Sequence, residues 1–509
     1  MPAQASRRLL AGIACATFLS GCGYFHYPSN VRLAKVDRSY GYRFDNVYRP
    51  PAEAEKGERP FVILAFSGGG TRAAALAYGI LDELRHTTFT TADGTARSLL
   101  DEVDVISSVS GGSLTAAYYG LFGDDIFAPE FKERVLYRCI ETDLLRRVLS
   151  PWHWPRLASP QFSRSDLAAE YYQTEIFAGR TFSDLLRATG DNQQRHSYII
   201  LNATDVSSGA RFEFTQDQFD PLCSDLGPFP VGRAVAASAA FPGAFTALTV
   251  DNYFHATPSC GFTRPRWVEI SFEHDRLENN ERFALAQALD SYLRDEPTRK
   301  DFVHVLDGGV ADNLGLRGPL QAIRFNTATP WSLSNMLNNR ELRDLVVIAV
   351  NAKPAPPSAL DGQAQAPGLF DVATASGTIP MENYTFETSD VWRREIADIN
   401  ESEEGAAAAD GSPQDRPVRF YWAEVRFDAL PDPQERACYN NIPTRLQLER
   451  AEVDALIGIG PRLLCEQPEY QQLRRDLNVQ GGCDRASPPK PLFKKGKRGS
   501  CCRFDGAAR

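Results

Sequence analysis

Three short stretches of this chain hold residue types able to perform acyl transfer. The first is Ser108-Val109-Ser110-Gly111-Gly112. It follows the apolar, β-branched residues Val103, Val105 and Ile106 and precedes a helix-forming run at 114–117. A strand, a sharp turn and a helix in that order make a nucleophile elbow, which exposes a strained serine at the end of the strand. Its pattern is G-x-S-x-G with Ser108 in the first glycine position; serine is small enough for the turn but has less backbone freedom than glycine. The second stretch is Ser67-Gly68-Gly69-Gly70-Thr71-Arg72, between an apolar strand at 61–66 and an alanine-rich helix at 73–84. Successive glycines there let backbone N–H groups face one point beside a helix N-terminus, which makes an anion nest. No Gly-Lys-Ser/Thr follows, so a Walker loop is excluded, and the dinucleotide pattern G-x-G-x-x-G is not met. Beside a serine elbow the nest reads as an oxyanion hole built from Gly68, Gly69, Gly70 and Thr71. Arg72 either shapes that loop or favours an anionic substrate, with a structural salt bridge as an equal reading. The third stretch, Asp307-Gly308-Gly309, ends a short strand at 302–306 and places a carboxylate where strand ends gather on one rim of an α/β sheet. Asp307 is the candidate base for Ser110; taken alone, Asp-Gly is also a common turn pair.

The elements that must position these residues are also legible. Runs at 198–201 and 345–350 read as buried strands, and 211–214 as a strand after the turn at Ser208-Gly209. Residues 233–245 begin as a small-residue helix that breaks at Pro242-Gly243, with packing close beneath the elbow. Residues 131–149 have helical apolar spacing and read as one amphipathic helix on the core. In the proline-bounded loop 151–155, Trp152 and Trp154 are expected to be buried, with a lipid interface as the lesser reading. Residues 418–427 alternate and read as an edge or antiparallel strand; 352–368 reads as a loop, 401–417 as exposed or disordered, and 485–509 as a basic disordered tail.

Bulk properties narrow the class. The chain has 509 residues, 43% hydrophobic and 24% charged, enough for a sizeable core. A net charge of -10 argues against a nucleic-acid partner. No long apolar run is present for a multi-span membrane protein. Arg7 and Arg8, a short apolar run at 9–19 and Leu19-Ser20-Gly21-Cys22 together resemble a bacterial lipoprotein signal. That resemblance implies cleavage before Cys22, acylation of Cys22 and attachment to a membrane, with Gly23 leaning towards the outer membrane facing the periplasm. Apart from Cys15 and Cys22, the cysteines at 139, 223, 260, 438, 465, 483, 501 and 502 permit disulfides in an oxidising compartment. No Cys-x-x-Cys pair or histidine cluster marks a metal site.

Taken together and in this order, Gly68-Gly69-Gly70-Thr71-Arg72, Ser108-Val109-Ser110-Gly111-Gly112 and Asp307-Gly308-Gly309 resemble the patatin-like phospholipase family. Residues 237–245, Ala-Ser-Ala-Ala-Phe-Pro-Gly-Ala-Phe, resemble a further segment of that family. The resemblance covers roughly 60–352. It implies a three-layer α/β/α fold with a central, mostly parallel sheet, like the cytosolic phospholipase A2 catalytic domain. It also implies a Ser110–Asp307 dyad, a membrane-lipid ester substrate, and no metal or organic cofactor. The expected organisation is a signal peptide at 1–21, a tether and lead-in at 22–59, a catalytic domain at 60–352, a C-terminal extension at 353–484 and the tail at 485–509. Two other readings stand beside it. One is an α/β-hydrolase triad using His255, His274 or His304; none of these follows Asp307, so in that fold's Ser, acid, His order the acid would be an earlier one. The other is a lipid-anchored binding protein without catalysis.

Overall fold

The computed structural model describes residues 25–50, 59–91, 94–188, 197–277, 280–324, 331–333, 336–337, 342, 344–354, 366, 368–410, 418–483, 492–495 and 500–503. The expected signal peptide, Cys22 and most of the tail lie outside these residues. Eight strands, labelled in chain order, form the central sheet: β1 (Pro60–Phe66), β2 (Val103–Val109), β3 (Tyr198–Asp205), β4 (Arg211–Glu213), β5 (Leu248–Asp251), β6 (Phe302–Asp307), β7 (Asp344–Asn351) and β8 (Arg419–Arg426). The spatial order is β8-β7-β1-β2-β3-β6-β5, with β4 paired to β3. The first five are mutually parallel, whereas β6 runs antiparallel to both β3 and β5. β1, β2, β3 and β7 are buried along their whole length, which is why they read as continuous apolar runs: a parallel sheet is covered on both faces.

The helices that matter to the site are α1 (Gly70–His86), α2 (Gly111–Phe122), α3 (Ile140–Leu149), α4 (Arg164–Tyr171), α5 (Val231–Ser238), α6 (Leu369–Asp410) and α7 (Arg450–Cys465). α1 is buried between α2 and α7. Helix α5 packs on α4, β3 and β6. Helix α6 lies over β8 and the short helix Gly309–Asp312. The central sheet flanked by helices is the expected architecture, with the sheet mixed at one side.

Several sequence readings are corrected. Residues 131–149 are not one helix: a π-turn (Lys132–Leu136) and a break at 137–139 separate two pieces. Strand β8 is an edge strand but parallel to β7, and it is buried because α6 and α7 cover it. The segment 401–410 continues α6 as helix, and 411–417 lies outside the described residues. Within the tail, Leu492–Lys495 and Ser500–Arg503 pair antiparallel. The lead-in docks rather than tethers: Tyr42, Phe44 and Val47 are in the core, and buried Arg43 pairs with Asp217 and Asp220. The extension past 353 is built into the same sheet and core.

Two disulfides, Cys223–Cys260 and Cys465–Cys483, join described residues, and Cys438 is also disulfide-bonded. Cys139 is free and exposed. Glu83 lies close to Cys465 and Cys483, but those thiols are consumed by their mutual bond.

Candidate active site

Ser110 sits between the last residue of β2 and the first turn of α2, with φ 52° and ψ −119°. A non-glycine residue held there is strained, and strain of this kind gathers where a side chain must be presented to chemistry. The elbow is held by a buried chain of serines. Ser110 N–H donates to Ser238 Oγ at 2.8 Å, Ser238 Oγ meets Ser113 Oγ at 3.0 Å, and Ser113 Oγ meets Ser108 Oγ at 3.1 Å. Ser108 also donates to the Ile200 carbonyl of β3 at 3.1 Å. Serine in the first glycine position is thereby explained: its hydroxyl ties the elbow to the next strand and to α2. Gly111 is needed for close approach, because a Cβ there would lie 2.0 Å from the Gly70 carbonyl oxygen.

Asp307 reaches Ser110 by register rather than by strand direction, which corrects the expectation of a shared carboxyl rim. β3 extends past the end of β2, and β6 pairs with that projecting half from the opposite direction. Val109 is aligned with Asn202, and Asp307 with Ala203. The residues flanking this part of β3 on either side are therefore the nucleophile turn and the acid. The Asp307 carboxylate accepts from Gly309 N–H at 2.7 Å, and the Ser110 hydroxyl lies near enough to favour its ionised form. Burial pushes its pKa up to about 7, against the lowering effect of those two donors. Asp307 N–H donates to the Ala240 carbonyl, Gly308 N–H to the Ser238 carbonyl, and Thr204 Oγ1 to the Asp307 carbonyl, so β3, the end of α5 and the residues just after it fix the acid's backbone.

The glycine loop divides its amides. Gly68 N–H is committed to the Asn313 carbonyl at 3.0 Å and Thr71 N–H to the Arg445 carbonyl at 2.8 Å. Two members of the expected oxyanion hole are thus turned to structural work, which leaves the Gly69 and Gly70 amides as the candidate donors. These two have φ 142° and φ 59°, the left-handed region that a side chain would strain.

Arg72 is fully buried and, among the described residues, bonds no carboxylate, contrary to the salt-bridge reading. It donates to the carbonyls of Ala352 and Ile442 and to Thr444 Oγ1. Burial lowers its pKa to about 9. These bonds tie the loop and the start of α1 to the segment at 442–444 and to Ala352. The acceptors at 442–445 had no sequence signal, whereas Ser238 was foreshadowed by the small-residue helix.

The histidines do not complete a triad among the described residues. His304 lies on the opposite face of β6 from Asp307 and meets Thr249 Oγ1 at 3.0 Å. His255 bonds the Arg294 carbonyl, and His274 is exposed beside Glu273. A cavity of about 490 Å³ lies next to Ala311 and contains neither Ser110 nor Asp307. Three of its cations are answered by carboxylates: Arg211 by Glu213, Arg294 by Asp290 and Lys300 by Asp205.

A strained serine at a strand–helix turn, an adjacent buried acid and a glycine nest define a nucleophile-elbow α/β protein. Residues 64–320 match the patatin-like phospholipase family, and the chain belongs to that family. The fold is similar to human GIVD cytosolic phospholipase A2, at 12% identity over 86% of this chain and 66% of that one, with a TM-score of 0.35. It is similar as well to the same enzyme with methyl gamma-linolenyl fluorophosphonate and terbium chloride (15% identity, 86% and 61% coverage, TM-score 0.36). VipD from Legionella pneumophila gives 10% identity, 84% and 71% coverage and a TM-score of 0.23. The chain thus spans just under two thirds of the human enzyme's length. No curated protein matches it in sequence.

Proposed function

We propose that this chain is a serine lipid acyl hydrolase in which Ser110 and Asp307 form a catalytic dyad. What supports the reading is a buried carboxylate, pushed up to about 7 by burial, that interacts with the hydroxyl of the strained serine beside it. A carboxyl group poised there accepts a proton and returns it at neutral pH. Ser110 Oγ attacks the ester carbonyl carbon, and its proton passes to Asp307. The carbonyl oxygen takes up the negative charge facing the Gly69 and Gly70 amides. Collapse of that intermediate expels the alcohol, which takes the proton from Asp307, and leaves the acyl group on Ser110. Water then gives its proton to Asp307 and attacks the acyl carbonyl, and Ser110 leaves with that proton while the carboxylic acid departs. The scheme uses no metal or organic cofactor. The substrate class is a membrane lipid ester, which follows from the family. Cys22, as the acylated residue of a lipoprotein signal, would tether the enzyme to the bacterial outer membrane, facing the periplasm.

A fluorophosphonate probe tests the dyad. Wild type is expected to label at Ser110, Ser110→Ala not at all, Asp307→Asn at least 100-fold more slowly, and His255→Ala, His274→Ala and His304→Ala normally. Labelling that survives Ser110→Ala, or that depends on a histidine, overturns the reading. Absence of any adduct on folded wild type favours a binding protein.

A further inference from the structure

The expectation that Trp152 and Trp154 are buried fails. Trp152 is 89% exposed and Trp154 57%, and two leucines one helical turn apart on α3, Leu145 and Leu149, are 56% and 62% exposed. Four large apolar side chains within ten residues stand in solvent, while the other turns of the same segment bury Ile140 and Leu144. A soluble surface rarely presents such a run without a partner.

Charge indicates the partner. From 144 to 165 the chain has four arginines (Arg146, Arg147, Arg156, Arg164) and no Asp or Glu, in a protein of net charge -10. Arg147 and Arg156 are answered from α4 and the turn after it by Glu175 and Glu170. Arg146 is 76% exposed at its side chain with Asp143 at 3.5 Å, and exposed Arg164 donates to the Gly243 carbonyl. Tryptophan beside leucine, rimmed by arginine, suits the boundary between anionic headgroups and acyl chains.

The N-terminal segment runs to the same place. Ser159 Oγ donates to the Phe25 carbonyl, and Tyr27 N–H donates to the Gln161 carbonyl at 2.7 Å. That surface is linked to the site: Arg164 holds Gly243, three residues past Ala240, which accepts from Asp307 N–H.

We infer that Leu145, Leu149, Trp152 and Trp154 form a membrane-docking patch that seats the protein on an anionic bilayer surface. The patch depends neither on the chemistry at Ser110 nor on acylation of Cys22. The test uses the full chain carrying Cys22→Ser, so that no acyl group is attached, and Ser110→Ala, so that lipid is not consumed. Binding is measured to vesicles of phosphatidylglycerol and phosphatidylcholine with brominated acyl chains, and to phosphatidylcholine alone. The expected result is quenching of tryptophan fluorescence on the anionic vesicles. Trp152→Ser with Trp154→Ser should abolish that quenching and reduce the bound fraction on the order of tenfold. Any contribution of the leader is common to both variants and cancels. An unchanged thermal melt of the double tryptophan variant shows that it is folded. Equal binding by that variant, no binding by the parent, or tryptophan-dependent self-association without lipid each overturns the inference. Failure of fluorophosphonate labelling would remove the hydrolase reading and leave this result intact.

Discussion

Arg72 and Thr444 are 372 positions apart in sequence, yet the Arg72 guanidinium donates to the Thr444 hydroxyl at 2.7 Å. The segment between the helix Pro433–Asn440 and α7 thus reaches across to hold the glycine loop. Its backbone accepts from Arg72 at Ile442 and from Thr71 at Arg445. Three fixed acceptors match a planar guanidinium, which lysine cannot reproduce. Arg72→Lys is expected to lower kcat on a soluble ester about 100-fold, the scale of a lost oxyanion donor, with KM within about threefold. Thr444→Val, losing one hydrogen bond, should cost about 1 kcal/mol in a denaturant melt and a smaller share of kcat. A rise in KM with unchanged kcat would instead show Arg72 meeting substrate.

The strain at Ser110 predicts an opposition between activity and stability. Ser110→Ala removes the nucleophile but keeps a side chain at φ 52°, whereas Ser110→Gly relaxes the backbone as well. Both variants should be inactive. Ser110→Gly should melt higher than Ser110→Ala, by about 1 kcal/mol in unfolding free energy. Equal melting temperatures would mean that the turn stores no strain.

The contact of α2 with the glycine loop is similarly specific. Gly111→Ala puts a methyl group where the Gly70 carbonyl oxygen stands, against backbone that cannot rotate away. The variant is expected to lose at least 2 kcal/mol of stability and most of its fluorophosphonate labelling, because the loop must retreat from Ser110. Full labelling at wild-type stability would show that the loop is not fixed as described.

What the sequence made legible follows the range of the forces involved. Strands β1, β2, β3 and β7 were readable because burial on two faces leaves a continuous apolar run. The elbow and the glycine nest were readable because each is set by adjacent residues. The parts that were missed depend on distant partners. Nothing local to Asp307 says that β6 runs antiparallel, since a strand's direction is fixed by its neighbours. Nothing in Gly68 or Thr71 says that Asn313 and Arg445 will claim their amides. The exposure of Trp152 and Trp154 is illegible for the opposite reason: burial is the usual fate of tryptophan, and only tertiary packing reveals an exception.

At Asp307, stability and activity should respond to pH in opposite senses. Burial raises its pKa from 3.8 to about 7, so the folded protein holds a proton there that the unfolded chain has already released at mid-range pH. Its contribution to stability is complete below about pH 4 and is lost as pH rises towards 7. A shift of this size corresponds to roughly 4 kcal/mol at most, since one unit is about 1.4 kcal/mol. Asp307→Asn keeps an oxygen for the Gly309 amide and carries no charge to bury. The variant should therefore melt higher than wild type at pH 8 and equally at pH 4, while losing activity throughout. Activity of wild type should run the other way, rising with pH through an inflection near 7 as the carboxylate becomes free to accept the Ser110 proton. An inflection near 4, or a variant no more stable at pH 8 than at pH 4 relative to wild type, would show that Asp307 is not held in the buried state described.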